Sequence, residues 1–168
     1  MGRFCDFFIL EIDKAFNTTI LLCCLIPELI DIGGPWKVLP PGVFNASLDE
    51  IKDAYAYNEH RKCLFEGFIK GFANLQNAGC QNIFLNGGFI GGAPTPTDFD
   101  VCWLPFSVDS KKLDPVLLDF SKKREAQKKK YGGEFFISTA KAAPGFTYFS
   151  YFQKDKHTGK PKGIIHVH

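Results

Sequence analysis

The sequence predicts an α+β fold, a mixed β-sheet with helices packed mainly on one face. Three observations lead there. Short apolar runs of strand length fall irregularly between two long helical patterns, so the regular βαβ alternation of a doubly wound domain is absent. The chain has 168 residues, 45% of them hydrophobic and 23% charged, which suits one globular domain with a real core. Phenylalanine occurs 18 times, so that core is expected to rest on aromatic rings.

Residues 1–30 read as an N-terminal extension of uncertain order. Phe4, Phe7, Phe8, Ile9 and Ile12 fit one face of a short helix or a strand, and a poorly ordered segment fits too. Asp6, Glu11 and Asp13 interrupt any signal-peptide core. The apolar run 20–26 is far shorter than the roughly 20 residues that span a bilayer. The expectation is a soluble, cytoplasmic protein with no membrane partner. Cys5, Cys23, Cys24, Cys63, Cys80 and Cys102 show no C-x-x-C or zinc-finger spacing, and are expected as reduced, mostly buried thiols.

A single domain is expected over residues 31–168, entered through a Gly/Pro-rich connector at 33–42. Ser47 and Glu50 make a capping box that opens one long helix. Leu48, Ile51, Tyr55, Phe65, Phe68, Phe72 and Leu75 mark its buried stripe, diluted by polar residues 58–62, and Ala78-Gly79 stops it. Gly67 and Gly71 each cost about 1 kcal/mol inside a helix, so a close approach of another element is expected there. A strand at 82–85 runs into Gly87-Gly88, and a second strand spans 98–104. Asp114-Pro115 opens a second helix that runs through a lysine-rich stretch to Gly132-Gly133. Residues 134–138, 146–153 and 163–167 read as further strands, the last two joined by a lysine-rich hairpin tip.

The chemistry is concentrated in LNGGFIGGAPTPTDFDVCW, residues 85–103. Residues i and i+2 of a strand share a face, so Asp98 and Asp100 project together while Phe99 and Val101 turn into the core. Two parallel carboxylates repel each other unless a cation lies between them. Magnesium prefers such hard oxygen ligands, commonly one or two carboxylates with substrate phosphates. Gly87 and Gly88 lack side chains and let backbone N–H groups approach a phosphate. Glu134, at the start of another strand, is placed to act as a third carboxylate in two-metal phosphoryl transfer. Taken in isolation, the two aspartates also suit an exposed turn whose acids pair with lysines, and Glu134 an exposed strand start.

The order of glycine pair, spacer, D-x-D, helix and strand acid resembles the nucleotidyltransferase superfamily. More closely, the chain is similar to an uncharacterised bacterial family of nucleotidyltransferase-like proteins, from about Ile26 to Val167. The resemblance rests on LPPG (39–42), AGC (78–80), LNGGF (85–89), PTDFDVCW (96–103), LDPVLLDFSKKREAQKKKYGGE (113–134), YFQ (151–153) and KGII (162–165). It implies a nucleotidyltransferase-like fold and a cleft for a nucleoside triphosphate, with Asp98, Asp100 and Glu134 on Mg2+ or Mn2+ and Gly87 and Gly88 on the phosphates. The acceptor stays open among RNA, a protein side chain and a small molecule. That family usually reads L-D-G-S-F where this chain has Leu85-Asn86-Gly87-Gly88-Phe89, so Asn86 replaces an acid and Gly88 a serine whose hydroxyl would meet the nucleotide phosphate. A catalytically degenerate binding module, such as a toxin–antitoxin or defence partner, is the alternative. An RNA-binding protein is a third reading, without a recognised RNA motif. A net charge of +2 adds nothing to it.

The remaining features read as ordinary surface and core. Lysines 122–130 suit a solvated helix face better than a wall for triphosphate or RNA. The loop 154–162 suits a plain hairpin tip. His157, His166 and His168 are too scattered for a catalytic set, and Trp36 and Trp103 suit core or connector anchors rather than base-stacking platforms.

Overall fold

The computed structural model describes residues 26–168. The expectations for Phe4 to Ile12 and for Cys5, Cys23 and Cys24 lie outside the described residues. The fold is α+β, as expected, with a mixed sheet of five strands. The chain enters at β1 (Gly42–Ala46), continues through α1 (Leu48–Tyr55), α2 (Glu59–Asn77), β2 (Ile83–Asn86) and β3 (Phe99–Trp103), and reaches α3 (Glu125–Tyr131) and β4 (Gly133–Ile137). A two-stranded ribbon of β5 (Lys141–Ala143) and β6 (Phe146–Thr147) leads into α4 (Tyr148–Phe152) and finally β7 (Gly163–Val167). The sheet order is β1-β7-β2-β3-β4. β7 runs parallel to β1 and antiparallel to β2, β2 is antiparallel to β3, and β3 is parallel to β4.

Alternation along the strands divides the apolar residues between two faces. Leu85, Phe99, Val101, Phe135 and Ile165 join the main core with α1 and α2. Phe84, Cys102, Phe136 and Ile164 form a smaller cluster on the other face, capped by Phe152 with Tyr148 and Phe149. Aromatic rings do carry the packing: Phe99 meets Phe68 and Phe135 edge-on, each with centroids 5.7 Å apart. Gly67 and Gly71 mark the close approach expected of them. A Cβ at Gly67 would lie 1.8 Å from the Tyr131 carbonyl oxygen, and one at Gly71 would lie 2.2 Å from Phe135 Cζ.

Three elements depart from the sequence expectation. The single helix expected from Ser47 to Ala78 is two. Ser47 and Glu50 do form the capping box of α1, but Asn58 then caps α2 by accepting from Arg61 N at 2.9 Å. The polar residues 58–62 are a second helix start, not a dilution of one stripe. The second long helix is also broken. Asp114 caps a short 3-10 turn at Pro115–Leu118, Lys122, Lys123 and Arg124 all take positive φ, and only Glu125–Tyr131 is α-helical. Few side chains in this stretch are buried, chiefly Leu117, Gln127 and Tyr131, so no continuous apolar stripe holds a straight helix against the sheet. Instead Gln127 donates to the carbonyls of Leu117 and Asp119 and accepts from Phe135 N, tying the wrapped segment to β4. The strand expected at 146–153 is mostly α4, because Thr147 and Ser150 form a capping box and the following aromatics pack at helical spacing.

Of the described cysteines, Cys80 and Cys102 are buried thiols and Cys63 is exposed; none is paired. No described helix is long and apolar enough to cross a membrane.

Candidate active site

Strand register assembles the polar groups. Asn86 of β2 pairs with Asp100 of β3, and Asp100 pairs with Glu134 of β4, so the three stand abreast across adjacent strands. Paired residues project from the same face. That face also carries Phe84, Cys102 and Phe136, and the polar row lies just beyond the ground α4 covers. Asp98 sits one residue before β3 and shares Asp100's parity, while Phe99 and Val101 are fully buried on the opposite face. A cleft of about 380 Å³ opens over the Asn86 and Asp100 end of this row, with Gly87, Gly88 and Asp98 also in its lining and Glu134 outside it.

The glycine pair is needed for shape. Gly87 has φ +87°, a conformation unfavourable to residues with a Cβ. A Cβ there would also lie 2.7 Å from Asp100 Oδ2. Gly88 is less constrained; its Cβ would meet Pro96 Cβ at 3.2 Å. The loop after this turn hangs on the first turn of α2. Asn58 Nδ2 donates to Pro94 O at 3.1 Å, and His60 Nε2 lies 2.5 Å from Pro96 O. Arg61 is fully buried, with Nη1 donating to the carbonyls of Tyr55 and Phe89 and Nη2 to those of Gly91 and Ala93. A planar five-donor fork suits this task, since it satisfies several loop carbonyls from one point.

Two lysines offset the acids. Lys128 Nζ, reaching from α3, lies 3.2 Å from Asp98 Oδ2 and 3.1 Å from Glu134 Oε2. Burial disfavours its charge, but the hydrogen bonds and charges of Glu134 and Asp98 outweigh that and hold its pKa above the usual lysine value. Lys162 Nζ hydrogen-bonds Asn86 Oδ1. Burial pushes Lys162 down to about 8, against the opposing pull of Asp100 and Asp155. Asp100 is pushed up to about 7, first by burial and then by the charges of Asp98 and Glu134, with Lys162 and Lys128 only partly compensating.

These groups suit a divalent cation in one respect: the Lys128 ammonium, a cation held between two carboxylates, stands where such an ion would find oxygen ligands. Among the described residues, no three His, Cys, Asp or Glu side chains converge in metal-ligating geometry. Magnesium commonly takes only one or two carboxylates and fills its other positions with water and substrate phosphate. The donor set therefore supplies at most part of a divalent ion's shell and does not cage one.

Asp98, Asp100, Gly87 and Gly88 thus share one cleft, and Glu134 joins them through Lys128. Of the lysine-rich segment 122–130, Lys128 faces the acids, Lys130 pairs with Asp114, and Arg124 lies over the rings of Phe136, Phe120 and Tyr148. The loop 154–162 is more than a plain hairpin tip, because Lys154, Lys156, His157 and Lys162 line the cleft. Trp103 is the expected core anchor, but Trp36 is 52% exposed and lines the cleft instead. Sequence reasoning missed Arg61 and Lys162. Arg61 could have been found as a charge inside a helical apolar stripe; Lys162 had only its place before an apolar strand.

A family model described as a family of unknown function, DUF6932, matches residues 35–168, and the chain belongs to that family. No curated protein and no solved structure matches the chain.

Proposed function

We propose that this DUF6932 protein is a metal-dependent nucleotidyltransferase with a nucleotidyltransferase-like fold, transferring a nucleotidyl group from a nucleoside triphosphate to an acceptor hydroxyl. The observation that carries the reading is the row of Asp100 and Glu134 across adjacent strands, with Asp98 beside them and a side-chain-free glycine turn in the same cleft. Asp98, Asp100 and Glu134 would hold Mg2+ or Mn2+. The ion, when bound, neutralises charge on the transferring phosphoryl group and activates the attacking oxygen. Gly87 and Gly88 leave room for phosphate against the backbone. Lys37, Lys154, Lys156 and Lys162 give the walls positive charge to set against a triphosphate. Arg61 keeps the loop after the glycines in one shape, so its geometry is ready before substrate arrives. The acceptor class, whether RNA, protein or small molecule, is left open by these residues.

A second reading has its own support. Lys128 already neutralises Asp98 and Glu134, and Asn86 and Gly88 stand where the resembled family has an acid and a serine. A nucleotidyltransferase-like fold that has lost catalysis and serves as a binding module would carry those features.

Thermal-shift scans with the four nucleoside triphosphates, with and without Mg2+ or Mn2+, separate the two. The enzyme reading expects metal-dependent stabilisation that is absent in the Asp98→Asn, Asp100→Asn double variant. It also expects Gly88→Ser to strengthen the response, since a hydrogen bond to a charged group is worth about 1.5–3 kcal/mol. Pro96 must yield by a few tenths of an ångström to admit the new Cβ. No response from wild type or Gly88→Ser with any triphosphate would leave the binding module as the better reading.

A further inference from the structure

We propose that Trp36 and Tyr151 form a nucleobase subsite at this cleft, one that recognises the base by its face and not by its edge. The proposal rests on the nucleotide reading above and names where the base goes.

The chain has two tryptophans. Trp103 is buried in the main core, whereas Trp36 is 52% exposed and Tyr151 is 45% exposed, and both line the cleft that holds Asp98 and Asp100. Neither exposure follows from a loose segment. Ile30 and Val38 exchange backbone hydrogen bonds of 2.8 and 2.9 Å on either side of Trp36. Gly92 N donates to Lys37 O at 2.9 Å, and Lys160 Nζ donates to Ile32 O at 2.9 Å. The tryptophan is thus carried on a loop fastened to the glycine segment on one side and to the loop after α4 on the other. Tyr151 is next to Phe152, which is buried against Phe136, so α4 is seated and turns Tyr151 outward.

The combination selects the occupant. A cleft that offers aromatic faces, lysines and a carboxylate-and-glycine floor fits a ligand with a planar ring and an anionic chain. An aromatic peptide side chain or a lipid tail would leave the lysines and the carboxylates unmatched. Edge readers are short here. Asp155, the one acid of the lining outside the Asp98 and Asp100 pair, already accepts from His157 N, Thr158 N and Thr158 Oγ1 within its own loop. Stacking alone tolerates every base and favours the larger ring systems.

Trp103 is buried and contributes a constant background emission, so ligand-induced quenching that is lost in Trp36→Ala reads Trp36. ATP and UTP should quench the emission of the wild-type protein in the presence of Mg2+, whereas inorganic tripolyphosphate should bind, by calorimetry, without quenching. Trp36→Ala should weaken ATP about 5- to 150-fold and leave tripolyphosphate unchanged. ATP should bind more tightly than UTP to wild type, and the gap should shrink in Trp36→Ala. Tyr151→Ala should repeat the loss in milder form, and Trp36→Phe should restore most of it. Unchanged ATP affinity in Trp36→Ala would overturn the subsite while leaving the nucleotide reading standing. An equal loss for ATP and tripolyphosphate would overturn it too, because Trp36 would then act on the phosphates or on folding. Wild-type protein that binds neither ligand at millimolar concentration would sink the nucleotide reading and the subsite together.

Discussion

Replacing Lys128 by methionine keeps an unbranched stem and a good helix former while deleting the ammonium between Asp98 and Glu134. At about 3 Å and an effective dielectric near 20, each contact has a gross attraction of roughly 5 kcal/mol. The lysine side chain is 43% exposed, so solvent screening and desolvation cancel most of that. Exposed pairs measure about 0.2–1 kcal/mol each, which makes about 0.4–2 kcal/mol for the two together. Metal-free Lys128→Met should therefore melt at a lower temperature. A cation entering between the same oxygens must first displace the ammonium, at that same cost. The variant should then bind Mn2+ about 2- to 30-fold more tightly, since 1.4 kcal/mol is tenfold. Electron paramagnetic resonance titration of free Mn2+ at fixed ionic strength reads this directly, with Asp98→Asn as the control that removes a ligand. If Lys128→Met left Mn2+ affinity unchanged or weaker, the gap between Asp98 and Glu134 would not be a cation seat, and the lysine would be a structural bridge.

Two further predictions concern the acids and the loop. The folded-state pKa of Asp100 is raised to about 7, above an unfolded carboxylate near 3.9. The folded protein then holds a proton that the unfolded chain has lost, so without metal its stability should fall as pH rises from about 4 to about 7. Asp100→Asn should lack that slope, which then appears in the difference between wild-type and variant melting points across pH, and a slope that persists in the variant would place the titration elsewhere. Arg61→Lys should cost about 2–5 kcal/mol, because one ammonium cannot serve the carbonyls of Tyr55, Phe89, Gly91 and Ala93, and buried acceptors would go unpaired. Urea unfolding measures it, and an unchanged midpoint would mean that the loop does not hang on this guanidinium.

Local pattern carried a good deal of this architecture. The capping box at Ser47 and Glu50, the period-2 placement of Asp98 and Asp100, and the helical glycines that meet Tyr131 and Phe135 all depend on neighbours within a few residues or on what a side chain excludes. What escaped reading depended on distant partners or competing signals. β1 went unread in the short stretch between the Gly/Pro-rich connector and the Ser47 cap, because its pairing with β7 is invisible locally. The aromatic run at 146–153 has strand-like composition, and the Thr147–Ser150 cap that makes it helical is a weaker signal than six aromatic and polar residues of β character. Lys128 could be counted among helix-face lysines, but only the register of β3 with β4 shows that one of them meets two acids. Trp36 reads as a core or connector anchor from its place in the Gly/Pro-rich stretch, which says nothing of whether the folded loop leaves the ring exposed.

β7 lies between β1 and β2, although it follows every other strand in the chain. During synthesis β1 leaves the ribosome early and waits, its backbone unpaired, until residues 163–167 have been made. β2, β3, β4 and α2 can associate meanwhile, bringing Asp98, Asp100 and Glu134 together without the lysine that precedes β7. Lys162 arrives beside Asn86 in the same step that closes the sheet. An unfinished chain therefore presents acids without their full complement of counter-charge, and nascent protein should be a poor competitor for nucleotide. Long-range parallel closure of this kind is slow and leaves a strand edge open to other chains, so the interval before β7 inserts is when this protein is most exposed to aggregation.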